Sequence, residues 1–550
     1  MTRPPFLSAG WLLAALTALA PPLSGCTRSP APAGIPAGSG APGYGGRFVY
    51  PLPIEPATLN FVTGTDQPSR SVTRLVGDSL VDHDREMRLV PRLAASWDWS
   101  TDGRVLTFHL RSGARFHDGT PVTSADVVYT YQRVVDPKSR AIGRLDSFLP
   151  VERVEAPDPL TVRVTYRAPF APALEAWEVP ILPLHLYAKD DFLRSPLNRA
   201  PIGSGPFRFA SWEPGQRIVL TANDDYWGGR PYLDTFEFDL IPSQETALRA
   251  LLAGEVDYAA LTPVQWDARA RETSFGRRFR TIRFVPLFLY YIAWRGDGSN
   301  PFFADPVVRR ALTLALDRDG YVRSVLRGLG QLASSPFRPG SLGADPDSAV
   351  IPFDPAQAAA LLDGAGWRRD PRTGLRGRSG IPFRFTLLIY GGGEDHVQFS
   401  QVAQEALRRL GIDMEISRLD WPTLWSRLQQ GDFEAAISGG SALGLDPDSV
   451  YGALHSSQIE GGQNYAAFRD MSIDRWLEEG RRIFDQGRRA EIYRAIEQRI
   501  REEQPYTYLF HPVVQAALSR RIANAEPSPL GILDQWPGPA RFYLARDGPQ

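Results

Sequence analysis

Cysteine, histidine and serine are the side chains on which covalent and metal chemistry is usually built, and their placement here excludes most of it. Cys26 is the single cysteine in a chain of 550 residues. One sulfur forms neither an intrachain disulfide nor a cysteine metal cluster. The seven histidines are scattered, and none falls in the H-E-x-x-H spacing that sets two imidazoles and a glutamate on one helix face. The sequence has no G-x-S-x-G elbow and no G-x-x-x-x-G-K-[ST] phosphate loop. Abundant acids always permit some carboxylate pair, which leaves a secreted hydrolase as the least favoured alternative. The expectation is a protein that is not an enzyme, with no catalytic residues, no metal site and no cofactor.

Cys26 has a different chemistry available to it. Arg3 precedes an apolar stretch from Phe6 to Leu23, and small residues Ser24 and Gly25 follow. A charged start, an apolar middle and a small-residue processing site make a secretory signal. The ending Leu-Ser-Gly-Cys resembles a bacterial lipobox, which implies that residues 1–26 are a lipoprotein signal and that the Cys26 sulfur carries a diacylglycerol. Each buried methylene adds about 0.8 kcal/mol of membrane affinity, so a multiply acylated Cys26 holds firmly. Residues 27–46, "TRSPAPAGIPAGSGAPGYGG", cannot bury enough apolar surface to offset ordering. They read as a tether spanning roughly 25 Å. The chain should therefore be exported, on the periplasmic or outer face of a bacterial membrane, touching that membrane through its lipid alone.

The remaining body is too long for one core and suggests two or three domains. With 43% hydrophobic and 22% charged residues it has a globular composition, and a net charge of −1 offers nucleic acid no basic field. Thirteen tryptophans and nineteen tyrosines exceed ordinary core needs, which suits an aromatic-lined cleft.

The elements that would shape such a cleft can be read from periodicity. In "VLTFHLR", Leu106, Phe108 and Leu110 alternate with polar residues as in a strand, and Asp102-Gly103 and Asp118-Gly119 supply turns. Thr123 or Ser124 can cap a helix through "ADVVYTYQRVV". "SQETALRALLAG" predicts a helix closed by Gly254. Between 381 and 440 the pattern is β-α-β-α-β: "PFRFTLLIY", a helix with apolar positions Phe399, Val402, Ala403, Ala406, Leu407 and Leu410, "IDMEI", "PTLWSRLQQ" and "FEAAIS". That alternation implies a largely parallel sheet, with ligands bound beyond the strands' carboxyl ends. The loops at those ends are residues 391–396, "GGGEDH", and 438–449, "SGGSALGLDPDS".

Several stretches resemble the peptide-type (family 5) extracellular solute-binding proteins of bacterial ABC importers, the oligopeptide- and dipeptide-binding proteins. They include "LVPRLAASWDWSTDGRVLTFHLRSGARFHDGTPVTSADVVYTY", "PIGSGPFRFASWEPGQRIVLTANDDYWGG", "LLAGEVDYA", "PFFADPVVRRALTLALDRDGYV" and "FDPAQAAALLDGAGW", running in order from about residue 47 to 512. The resemblance implies a periplasmic-binding-protein-like α/β fold of class II (cluster C), two lobes on a hinge with an extra β-rich subdomain. By that pattern residues 47–82, 201–287 and 506–544 form the first lobe, 83–200 the inserted subdomain and 288–505 the second lobe. "PLFLYYIAW" would be a hinge crossing.

The resemblance also implies partners and contacts. An extended peptide would lie between the lobes and pair with receptor backbone as an added strand. A permease would receive it from a monomeric receptor. Thr65, Asp66 and Gln67 fall in the first-lobe segment that lines the cleft, Trp421 at a cleft tryptophan, and Gly439, Gly440 and Ser441 at the strand end that pairs with ligand. The carboxylate that usually holds a peptide's amino terminus falls three residues before Asp446-Pro447, where this sequence has Leu443. A buried ammonium without a counter-charge costs several kcal/mol. Two explanations follow. Another acid substitutes, Asp66 first and Asp446 second; or the ligand is a blocked peptide, an oligosaccharide, a metal chelate or another small solute. Glu394, Asp395 and His396 read as an exposed polar loop.

Overall fold

The computed structural model describes residues 42–545 apart from 270, 271, 393, 441–445 and 461. Cys26, its apolar leader and the tether as far as residue 41 lie outside the described residues, as do Ser441 and Leu443.

The chain enters as strand β1 (Arg47–Leu52) and passes to helix α1 (Gln67–Val76). It then builds an antiparallel sheet from β2 (Ala94–Trp99), β3 (Val105–Leu110), β4 (Val151–Asp158) and β5 (Thr161–Tyr166), in the order β2-β3-β5-β4. Helices α2 (Ser124–Val135) and α3 (Ile142–Phe148) lie between its strands in sequence. Gly103 and Gly119 adopt φ of +66° and +89°, the left-handed conformations that the two Asp-Gly turns require. β6 (Phe207–Glu213), β7 (Arg217–Ala222) and β8 (Thr235–Leu240) return to β1 in a sheet ordered β1-β8-β7-β6. One continuous core, including Phe48, Leu106, Phe108, Val164, Phe207 and Phe236, serves both sheets. The two sheets are thus fused through a shared core.

Two further strands, β9 (Tyr258–Ala260) and β10 (Phe279–Phe284), precede the second lobe. That lobe holds a six-stranded sheet of β11 (Leu289–Trp294), β12 (Gly330–Leu332), β13 (Arg384–Tyr390), β14 (Asp413–Leu419), β15 (Ala435–Gly440) and β16 (Tyr506–Pro512), ordered β12-β16-β11-β15-β13-β14. Helix α4 (Glu394–Arg409) joins β13 to β14, and α5 (Trp421–Gln430) joins β14 to β15. β13 runs parallel to both β14 and β15, so the β-α-β-α-β expectation holds. The helices pack on opposite faces. Phe399, Ala403 and Leu407 of α4 share a core with Phe385, Leu387 and Ile389, whereas Leu424 and Leu428 of α5 share another with Leu388. Val402, expected on the apolar stripe of α4, is exposed.

Two expectations about the join between lobes need correction. "LYYIAW" is β11, an interior strand paired on both sides, because an apolar run needs cover on both faces. The crossing is the short segment 285–288. Residues 506–512 do not return to the first lobe; as β16 they pair with β11 and β12. The return crossing falls at Val513, after which β17 (Val514–Ser519) pairs with β9 and β10. The two crossings touch: the His511 Nδ1–H donates to the Phe288 carbonyl at 2.9 Å.

Candidate ligand-binding cleft

β13, β14 and β15 all end at one edge of the second-lobe sheet, at Tyr390, Leu419 and Gly440. The Asp-Trp-Pro-Thr sequence places Trp421 there. The Asp420 carboxylate caps α5, accepting from the Thr423 N–H at 2.9 Å and its hydroxyl at 2.8 Å, and Pro422 supplies a helical φ in the first turn. Trp421 is 42% exposed, so it is no core residue. It stands edge-on to Tyr390 at 5.9 Å and stacks on Trp425 at 5.9 Å. Trp425, 41% exposed, continues the stripe to Tyr465 at 6.3 Å. Sequence reasoning missed Trp425, although its spacing of four from Trp421 on a helix carries the signal.

His396 corrects the reading of residues 394–396 as a loop. They open α4, and His396 is buried edge-on to Tyr290 at 5.3 Å and to Tyr390 at 6.1 Å. Burial pulls its imidazole down to about 4, so it is a neutral wall of the cleft.

The backbone beside these rings is partly accessible at Gly439 and Gly440, whereas Ile437 and Ser438 are buried. β15 pairs with β11 as far as Leu289↔Gly440, but its register with β13 is confined to Leu387↔Ala435 and Leu388↔Ala436. Among the described residues, Ile437 to Gly440 therefore have no strand partner on the β13 side. Gly439 is required for this path: a Cβ there would lie 2.7 Å from the Phe288 ring. Gly439 and Gly440 are the last two residues of β15.

The acids expected to replace the missing carboxylate are engaged. Asp66 is the cap of α1: Oδ1 accepts from the Ser69 N–H at 2.9 Å and Oδ2 from the Ser69 hydroxyl at 2.6 Å. Thr65 and Gln67 on either side are exposed. The Asp446 carboxylate takes both terminal nitrogens of buried Arg489 at 2.7 and 2.6 Å, and also accepts from the Asp448 N–H at 2.9 Å. The Asp446 N–H donates to Glu175 of the inserted subdomain at 2.9 Å, so this segment touches both sides of the cleft. A cavity of about 340 Å³ lies alongside, lined by residues that include Met87, Leu287, Phe337, Arg338, Pro447 and Pro529.

The first-lobe side rests on a buried ion network. Arg92 Nε donates to Asp78 at 2.7 Å and its Nη1 to Asp82 at 2.6 Å, while Tyr226 and Trp227 also donate to Asp78 at 3.0 and 2.7 Å. His117 ties two of the sequence motifs together. Its Nε2–H donates to the Gly205 carbonyl at 3.0 Å and its Nδ1 accepts from the Gly203 N–H at 3.3 Å, which fixes a neutral tautomer.

Two lobes joined by paired crossings, with an open strand edge and an aromatic wall at the seam, define a solute-binding protein. Residues 88–462 match the bacterial extracellular solute-binding proteins, family 5 Middle. The chain is 31% identical over 544 residues to the oligopeptide-binding protein AppA of Bacillus subtilis (strain 168), covering 96% of this chain and 98% of that one. The structure of B. subtilis AppA in complex with a nonapeptide aligns with a TM-score of 0.79 at 29% identity, over 92% of this chain and 100% of that one. The structure of AgaA from A. tumefacien R10 with agropinic acid aligns with a TM-score of 0.75 at 26% identity, over 91% and 99%. The chain belongs to the family 5 extracellular solute-binding proteins of ABC importers, which are receptors and not enzymes. Among the described residues no helix is long and apolar enough to cross a membrane.

Proposed function

We propose that this chain is a lipid-anchored capture receptor that holds an extended peptide between its lobes and delivers it to a membrane permease. The unpaired end of β15 at Gly439 and Gly440 carries the reading. An extended ligand can pair there through main-chain hydrogen bonds, which are indifferent to side chains, while Trp421 and Trp425 offer apolar faces beside it. Contacts made by both lobes form fully only on closure, so ligand shifts the population towards the closed state. Cys26 would supply the anchor and residues 27–46 the reach.

Small-angle scattering tests this reading: a bound peptide pool should shrink the radius of gyration, and a Gly439→Val variant should not respond. An unchanged radius with bound peptide would remove the closing trap. A second reading, capture of a non-peptide solute, draws support from the engagement of Asp66 and Asp446, which leaves a ligand ammonium without either counter-charge.

A further inference from the structure

The second lobe meets the β2–β3 hairpin through one half-exposed ring. Phe484 lies in the turn 481–485 between the helices Met471–Gly480 and Gln486–Glu503. The Asp485 carboxylate caps the second helix, accepting from the Arg488 N–H at 2.8 Å, and so fixes the chain beside Phe484. The Phe484 ring stands edge-on to Trp99 of β2 at 4.8 Å. It also covers Gly103 in the hairpin turn, where a Cβ would lie 2.6 Å from the ring. The glycine that the turn needs for its φ of +66° therefore also makes the seat for Phe484.

Further contacts join the same two sides. The Ala171 N–H, shortly after β5, donates to the Arg481 carbonyl at 2.7 Å. The Arg481 guanidinium lies 5.7 Å from the Phe170 ring and 3.2 Å from that of Tyr451, and its Nε donates to Asp448 at 2.7 Å. The Asp446 N–H donates to Glu175, and Asp446 is the first described residue beyond the end of β15. Arg481 thus connects the Phe484 turn to the segment that leaves the ligand-facing strand end. The join is thin. Phe484 is 39% exposed, and the buried apolar residues on the two sides form separate cores. Such a contact can part and hydrate without opening either core.

We propose that Phe484, seated on Trp99 and Gly103, is the catch of a latch that favours the closed receptor independently of the solute, with Arg481 coupling the catch to the segment beyond β15. The catch makes its contacts with the protein and none with the ligand. By favouring the closed state it raises affinity for every solute by the same factor. This rests on the reading of a closing receptor and adds a device to it.

Small-angle scattering and calorimetry on the full chain test it, with trialanine and a mixed-sequence nonapeptide pool as probes. Ligand-free Phe484→Ala should have a larger radius of gyration than the parent chain, because its closed population falls. Both probes should lose affinity by one common factor of about threefold to tenfold, the range of a lost aromatic pair. Phe484→Leu keeps an apolar side chain without the ring, and it should give the same two changes if the alanine variant fails to fold. Unequal losses for the two probes would make Phe484 a ligand contact and overturn the latch. An unchanged ligand-free radius would overturn it as well, whether or not the melting temperature falls, by assigning Phe484 to scaffolding. If neither probe binds the parent chain, the peptide reading fails, and the ligand-free radius alone decides the latch.

Discussion

The two walls of the cleft are made differently. The second-lobe wall consists of strand ends, glycine backbone and half-exposed aromatic rings, with the buried His396 imidazole held neutral. The first-lobe side is a layer of paired charges, with Arg92 clamped between Asp78 and Asp82. One wall can change its ligand contacts at little cost in folding, because exposed rings and an open edge hold nothing up. The other cannot, because each buried charge depends on its partner.

The sharpest way to break that comparison is Arg92→Leu. It leaves buried Asp78 without its cation and Asp82 with Arg74 alone, and chemical denaturation should show a loss of about 3–5 kcal/mol; a loss below about 1 kcal/mol would make the ion layer dispensable. Gly439→Val on the opposite wall forces Phe288 aside, so peptide binding should vanish in calorimetry while stability falls by about 1–3 kcal/mol. Retained binding would mean that the β15 edge is not used.

His117 gives the first-lobe wall a pH signature. Burial pulls its imidazole from the ordinary 6.5 down to about 4, so the unfolded chain binds the extra proton first. The His117 contribution is therefore complete above pH 6.5 and drains as pH falls towards 4, by about 3 kcal/mol. His117→Gln should flatten that part of the stability profile, and an unaltered slope would assign it to other groups. The smallest stability change should come from Trp421→Ala. Unfolding should move within about 0.5 kcal/mol while affinity drops about tenfold; a reversed pattern would place Trp421 in the scaffold.

The same contrast explains what the sequence disclosed. The β-α-β-α-β run was legible because α4 and α5 repeat apolar residues at helical spacing and β13 is continuously apolar. Trp421 could be placed because the resemblance sets a cleft tryptophan there, at a helix start that Asp420 caps. The sheet assignment of "YTYLFHP" was not legible, since an all-buried strand fits any central position and pairing depends on residues far away in sequence. The ion layer was equally hidden. Arg92 sits within "LVPRLAASW" with no local partner, and Asp446 meets Arg489 only through the fold. The Asp66 pairing with Ser69 is local, only three residues along the chain.

The two neighbouring threads between the lobes, tied by His511 and Phe288, have a mechanical consequence. A single strand would let the halves twist like beads on a string, whereas two pins side by side leave a door that swings about one line. If the proposed trap closes about that line, its outer outline would be the same for any cargo, and a membrane partner would need to recognise one silhouette.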